Sequence, residues 1–196
     1  MINENKYLMP RIESLMASRE FQYYISKIEK LEQDRIYCGH DIDHLLSVAR
    51  MMYIINLEDG LGLDKELIYA VGLLHDIGRV DEYEKGIDHH VASCKIADKL
   101  MQDAGFSSKE IDISLYAIGR HRSCKEEVAT CGTENNSPKN ENPKNENQKN
   151  ENQDNKRQRL EDLLRYVDKK SRLCYYCGTR DTCKWSDDKK NKRLLI

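Results

Sequence analysis

Helical periodicity constrains this chain more than any other feature of its sequence. Outside one central repeat, apolar residues recur every three or four positions, and no alternating apolar and polar run bounded by turn residues is present. Residues suited to capping a helix precede four of the apolar stripes, and these are Ser18, Asp64, Asp88, and Ser107 with Glu110. We therefore predict an all-α fold, a helical bundle with short connections.

Two further segments complete the predicted bundle. The stretch from Ile42 to Leu57 is apolar on nearly all sides, which is typical of a buried central helix. Leu160, Leu164 and Val167 predict a last long helix. The helix that Asp64 caps is predicted to end near Gly78.

A low-complexity insert separates the last predicted helix from the rest. Residues 138–152 are three near-copies of the pentapeptide PKNEN, and the polar stretch around them runs from 130 to 157. This segment has almost no apolar side chain to bury, so nothing offsets the entropy cost of ordering it. We predict that 130–157 is disordered and has no chemical role.

The charge balance excludes several functional classes. The 196 residues contain 32 Lys and Arg against 34 Asp and Glu, which excludes a globally basic nucleic-acid coat. The apolar runs are too short to cross a membrane, and no secretory signal precedes them, so we expect a cytoplasmic protein. Its seven cysteines are then expected to be thiols or metal ligands. Residues 156–196 are basic, and such a segment beside a pocket attracts phosphate groups.

All six histidines lie between His40 and His121, and several share helix faces with core residues. One such histidine is more often a hydrogen-bonded core residue than a ligand. Several imidazoles and carboxylates buried together are costly, however, unless they are paired or bind metal. The residues concerned are His44, His75, Asp76, His89, His121 and Asp168. These donors suit Mn, Fe, Co, Ni or Zn.

The motifs HLLSVARMM from His44, LLHDIG with His75 and Asp76, and YVDKKSR with Asp168 resemble the HD superfamily of metal-dependent phosphohydrolases. The resemblance implies an HD-domain helical bundle that binds one or two divalent transition metal ions. It implies that His44, His75, Asp76 and Asp168 are ligands, with His89 and His121 added in a dinuclear centre that Asp76 bridges. His90 is the alternative to His89. On this basis we divide the chain into N-terminal helices (1–36), the HD domain (37–176) and a cysteine-containing basic tail (177–196).

The resemblance also implies a reaction. Asp76 and His75 would be catalytic, because the metal-bound water that attacks the phosphorus is held at Asp76. Positive side chains near the ligands are candidates for binding the phosphate, while His40 is one helical turn before His44 and is a candidate for a substrate contact or a support for a ligand. The cations are Arg79, Arg120, Arg122, Lys169 and Arg172.

A second metal site is predicted in the tail. Cys174, Cys177 and Cys183 have the spacing CxxCxxxxxC, and Cys38 is the best candidate for a fourth ligand. Four thiolates would hold a structural zinc ion or an iron–sulfur cluster. The alternative is that these are free cysteines.

The sequence is compatible with three functions. The first is hydrolysis of a phosphate ester of a nucleotide or another small phosphorylated metabolite. The second is a di-iron oxygenase on the same scaffold, and the third is a non-catalytic module that senses metal or redox state. No membrane or specific nucleic-acid partner is expected, and the sequence does not determine the substrate, the metal or the oligomeric state.

Overall fold

The predicted all-α architecture is confirmed. The structure, a computed structural model, describes residues 4–122 and 143–194, with no side chains given for 143–152. Its helices are α1 (Pro10–Ala17), α2 (Arg19–Leu31), α3 (Ile42–Glu58), α4 (Lys65–Leu74), α5 (Arg79–Lys85), α6 (His89–Asp103), α7 (Ser108–Arg120) and α8 (Pro143–Lys170). Short 3-10 turns follow α8 at Cys174–Tyr176 and Arg180–Thr182. The described residues contain no strand.

The capping residues explain where several helices begin. The Ser18 hydroxyl accepts a hydrogen bond from the amide of Phe21, and the Asp64 carboxylate accepts one from Leu67. Ser107 and Glu110 form the predicted capping box at the start of α7. Asp88 precedes α6 as expected but makes no capping hydrogen bond.

Two helix boundaries differ from the prediction. The helix capped by Asp64 ends at Leu74, and a turn separates it from the short α5, which periodicity alone did not indicate. Helix α8 begins at Pro143, inside the repeat, so the part of the predicted insert from 143 to 157 is helical. Residues 130–142 of that insert lie outside the described residues.

Helix α3 lies at the centre of the bundle, as predicted, and packs against α4 and α8. Leu45, Val48 and Met52 on this helix are fully buried. The crossing with α4 is close, because a Cβ added to Gly72 would lie 2.6 Å from the Cβ of Ala49. This approach brings the end of α4 next to the start of α3, where the two motifs His44 and His75–Asp76 lie.

The remaining elements pack around this centre. Helices α6 and α7 pair with each other, and α7 pairs with α8. The N-terminal helices contact the bundle through α1 against α4 and α2 against α5. In the described part of the chain, no helix is long and apolar enough to cross a bilayer.

Candidate metal centre

Six side chains from five separate segments converge at one end of the bundle. His44 lies in the first turn of α3, His75 and Asp76 follow α4, His89 opens α6, His121 follows α7, and Asp168 lies near the end of α8. All six are at most 9% exposed. They are the residues that the sequence motifs single out as metal ligands, and the fold brings all of them together.

The six side chains form two groups that share Asp76. Ligand atoms of His44, His75, Asp76 and Asp168 lie within 4.8 Å of one another, and so do those of Asp76, His89 and His121. We call these the first nest and the second nest. Asp76 uses different oxygens for the two, because its Oδ2 is 3.2 Å from His75 Nε2 while its Oδ1 is 3.5 Å from His89 Nε2. This is the arrangement expected of a carboxylate between two cations.

The outer ring nitrogens of His75 and His121 each have a fixed hydrogen-bond partner. His75 Nδ1 lies 2.8 Å from the carbonyl of Gly72, and His121 Nδ1 lies 2.7 Å from the carbonyl of Ile118. A carbonyl can only accept, so both Nδ1 atoms carry a hydrogen, and Nε2 is the nitrogen that each ring can offer to a metal ion. Such second contacts orient histidine ligands in metal sites.

The inner atoms lack the partners that buried polar atoms normally have. Among the described residues, His75 Nε2, Asp76 Oδ2, His89 Nε2, His121 Nε2 and Asp168 Oδ1 are buried without a hydrogen bond. In the second nest, the lone pair of a neutral imidazole faces an acceptor oxygen, with 3.9 Å between His121 Nε2 and Asp76 Oδ1. Two acceptors facing each other in a buried site are costly, and a divalent cation between them removes the cost. The residues present therefore fit one or two such ions.

Burial and charge fix the protonation of these groups. Burial lowers the pKa of His44 to about 4 and that of His121 to about 3, so both rings are neutral at pH 7. Burial also acts on His75, but the neighbouring Asp76 and Asp168 carboxylates outweigh it and raise its pKa to about 9. The Asp76 and Asp168 carboxyls are themselves buried, yet the His75 ring holds the pKa of Asp76 well below the usual range, and His44 and His75 together do the same for Asp168.

A glycine at the turn after Asp76 fixes the second nest. A Cβ on Gly78 would lie 2.3 Å from the carbonyl oxygen of His89, so only glycine lets α6 approach this closely. The Gly78 amide donates to the fully buried hydroxyl of Ser93 at 2.9 Å. This hydrogen bond thus explains why a small hydroxyl residue, Ser93, lies four residues after His89. His90 points elsewhere, since it belongs to neither nest.

The candidate phosphate-binding residues divide into two sets. Arg79 donates to Asp76 Oδ1 at 3.1 Å, Arg172 Nη2 lies 3.0 Å from His44 Nε2, and Arg122 Nη2 lies 3.7 Å from Asp168 Oδ2. Lys169 is exposed and lies away from these groups. It is the next position along α8 after Asp168, and successive helical residues point about 100° apart. Arg120 stacks on the ring of Tyr116 instead.

Two acidic residues that sequence reasoning missed support the centre. Glu32 accepts from the His40 amide at 2.7 Å and contacts His40 Nδ1 at 2.6 Å. Burial opposes its ionisation, but the hydrogen bonds from His40 and Tyr83 lower the pKa of Glu32 to about 2. Glu82 contacts His89 Nδ1 and also binds Arg79. Neither contact to a histidine has a spacing signal in the sequence, because Glu32 reaches into the loop before α3 and Glu82 reaches from α5 to α6.

The predicted cysteine ligands all lie around a cavity next to the metal centre. Cys38, Cys174, Cys177 and Cys183 line it together, and its volume is about 400 Å³. Their sulfur atoms do not converge as the nests do, since no group of three ligand atoms within 4.8 Å includes them in the described residues. The cysteine site therefore stays a prediction.

Comparison with known proteins identifies the family. A family model of the HD domain matches residues 41–166. An uncharacterised protein of Clostridium beijerinckii is 32% identical over 186 residues, which are 95% of this chain and 99% of that protein. Ribonuclease Y of Mycoplasma mycoides is 37% identical over 103 residues, 53% of this chain but 22% of the enzyme. An uncharacterised protein of Methanocaldococcus jannaschii is 31% identical over 116 residues, 58% of this chain and 62% of that protein.

No solved structure matches the chain. The HD match covers more than half of the residues and includes both nests except Asp168, two positions beyond its end. HD domains are all-α metal-dependent hydrolases that bind divalent ions. The helical fold, the two nests and this match together show that the chain belongs to the HD-domain family.

Proposed function

We propose that this protein is a metal-dependent phosphohydrolase that cleaves a phosphate ester of a nucleotide or of another small phosphorylated metabolite. The observation that carries the proposal is a cavity of about 490 Å³ that reaches the centre and is rich in arginine. We call it the arginine cavity; its lining includes Arg35, His40, Arg79, Arg122, Asp168, Arg172, Lys184 and Trp185. Its volume is typical of a site for one small molecule.

The cations of this cavity favour an anionic substrate. Arg79, Arg122 and Arg172 all lie within 4.0 Å of Asp76 or Asp168, at the inner end of the cavity. Arg79 has one amino group, Nη2, that is buried without a hydrogen bond. Guanidinium groups match the geometry of phosphate oxygens, and they neutralise the charge that develops there. A phosphoryl group at this end would contact arginine on more than one side.

Metal ions bound in the two nests would polarise a water molecule and the phosphoryl oxygens. Asp76 is the residue that serves both nests, because its two oxygens face different histidines. His40 lies at the cavity edge with its Nε2 3.8 Å from Asp76 Oδ2. Glu32 fixes this ring from behind, and burial lowers the His40 pKa, so the neutral Nε2 is able to accept a proton.

The aromatic part of the cavity lining suits an organic group. Tyr37 and Trp185 both line the cavity. Aromatic walls bind planar or apolar parts of a ligand, while Lys184 and Arg35 add further positive charge. This combination supports a nucleotide or a similar phosphate ester. The ribonuclease Y relative agrees with cleavage of a phosphate ester, although the match covers 22% of that enzyme.

The test is metal-dependent hydrolysis of phosphate esters under anaerobic conditions, measured as release of p-nitrophenol from the chromogenic esters or of phosphate from a nucleotide. We expect protein purified anaerobically and loaded with Mn²⁺, Co²⁺ or Fe²⁺ to hydrolyse bis-p-nitrophenyl phosphate, p-nitrophenyl phosphate or a nucleotide panel. Asp76→Asn should lower this release by roughly 10²–10³-fold or more, while His90→Gln, outside both nests, should keep it. Oxygen consumption by the iron form without phosphate release would instead support the oxygenase, and metal binding without either reaction would support a sensing module.

A further inference from the structure

We propose that Cys38, Cys174, Cys177 and Cys183 bind a structural zinc ion that clips the C-terminal tail to the loop before α3. This site is separate from the two nests and does not depend on the hydrolase proposal. It is composed of four of the five cysteines in the described part of the chain, and these four form no disulfide. Two segments far apart in sequence, the loop before α3 and the tail after α8, contribute the thiols to one cavity.

Short 3-10 turns present the thiols of the tail. Cys174 begins one turn, and the Cys177 amide donates to the Cys174 carbonyl, so the pair CxxC folds back on itself. Cys183 directly follows the next turn. Cysteines in such a spacing, with one or two ligands from another segment, are typical of tetrahedral zinc sites.

The thiols already interact across the cavity. Cys38 is partly buried, which raises its pKa, and the nearby Cys174 and Cys183 sulfurs raise it further, whereas Arg172 lowers it. Arg172, Arg180 and Lys190 line the same cavity. Four thiolates and one Zn²⁺ carry a net charge of −2, which these cations would offset.

Hydrogen bonds hold the two sides of the proposed clip together. The Thr179 hydroxyl donates to the Ile36 carbonyl at 3.1 Å, and the Tyr37 hydroxyl donates to the Thr182 carbonyl at 2.9 Å. Arg172 Nη1 donates to the Gly39 carbonyl at 2.5 Å. The sulfur atoms do not converge within 4.8 Å, so ion binding requires the thiols, of which Cys177 is exposed, to move closer together.

The tail has almost no apolar core to stabilise it. Cys174 is its one buried apolar residue between 171 and 194, while Leu173 and Tyr176 are exposed. Small segments without a core commonly depend on a metal ion or disulfide for order. The clip would also hold Lys184 and Trp185 at the wall of the arginine cavity, because Cys38 and Cys183 line both cavities.

Cobalt substitution tests the site by a signal that only thiolates give. We expect one Co²⁺ per full-length chain to produce sulfur-to-cobalt charge-transfer absorption and tetrahedral d–d bands, which Zn²⁺ displaces. Ions in the two nests have only nitrogen and oxygen ligands and give no such absorption. Zinc content, measured alongside, should fall by about one ion per chain in Cys38→Ser and in Cys177→Ser.

Three variants serve as controls for folding and for the separation of the two sites. Cys177 is exposed, so Cys177→Ser should fold even if Cys38→Ser does not. Cys94→Ala, in the core, and Asp76→Asn, in the nests, should both keep the thiolate signal. Absence of the signal in the wild-type protein would overturn the proposal. It would also be overturned if Cys177→Ser kept the signal, or if anaerobic protein contained iron with acid-labile sulfide that the cysteine variants lost.

Discussion

The two nests and the cysteine cavity lie side by side, yet they differ in how far their ligand atoms converge. The nests place inner atoms of six buried side chains within 4.8 Å in two groups. The cysteines share a cavity, but Cys177 is exposed and the sulfurs do not converge in this way. Nest ligands lie in or directly beside long helices locked by core packing, whereas the cysteines lie in a loop and two short turns. Rigid elements preorganise a site, and flexible turns leave part of its assembly to the ion.

The largest effect should come from Asp76, which serves both nests. Asp76→Asn keeps the shape but removes the negative charge that two cations would share. We expect a loss of roughly 10²–10³-fold or more in phosphate release, together with loss of metal from both nests. Elemental analysis and a phosphate assay check this. The same variant should retain zinc at the cysteines, so loss of all metal would contradict the separation of the two sites.

Substitutions of the two adjacent histidines of α6 test which of them belongs to the second nest. His89→Gln removes a ring whose Nε2 lies 3.5 Å from Asp76 Oδ1, while His90 belongs to neither nest. We expect His89→Gln to lower the metal content by about one ion and His90→Gln to leave it unchanged. If His90→Gln loses the ion instead, the assignment of the second nest is wrong.

Two glycine substitutions test the difference in packing between the metal centre and the tail. An added Cβ at Gly72 would lie 2.6 Å from Ala49 Cβ, whereas at Gly178 it would meet nothing within 4 Å. Overpacking of this kind typically costs about 1–3 kcal/mol. We expect Gly72→Ala to lower the melting temperature by several degrees and to weaken metal binding, because Gly72 also accepts from His75. Gly178→Ala should change neither quantity, and equal effects would contradict the comparison.

Glu32 makes the stability around His40 depend on pH. The pKa of Glu32 is about 2 in the folded protein, below its ordinary value of 4.5, so the folded state favours the carboxylate. Its stabilisation is therefore complete above about pH 4.5 and is lost as the pH falls toward 2. Glu32→Gln should cost about 1–3 kcal/mol at pH 7. Chemical denaturation at several pH values should show a flatter acid limb in this variant, and an unchanged limb would contradict the assignment.

The smallest effect is expected where the tail caps α8. Asn191 is 4% exposed, and its amide donates to the carbonyls of Lys169 at 2.7 Å and Arg172 at 2.8 Å. Removing these bonds in Asn191→Ala should cost about 1 kcal/mol. Hydrogen exchange should then speed up in residues 171–194 and stay unchanged around His75. Faster exchange at both places would show that the tail and the nests unfold together.

Several features of the fold were predictable because they are local. A cap such as Ser18 or the Ser107–Glu110 box needs only residues three apart, and the chain makes those bonds as predicted. Helix α5 was missed, because seven residues after a tight turn have too few positions to show a period. The start of α8 at Pro143 was also missed, because a repeat of Lys, Asn and Glu carries no apolar stripe.

The sequence by itself determined the helical class and the six residues of the nests, because helical periodicity and short motifs are written in neighbouring positions. Only the tertiary structure decided how they are used. It gave Asp76 one oxygen for each nest, put Glu32 behind His40, turned Lys169 away from the cavity and brought Cys38 to the tail. These contacts join residues from separate helices and loops, and their geometry depends on how closely those elements pack, as at Gly72 and Gly78.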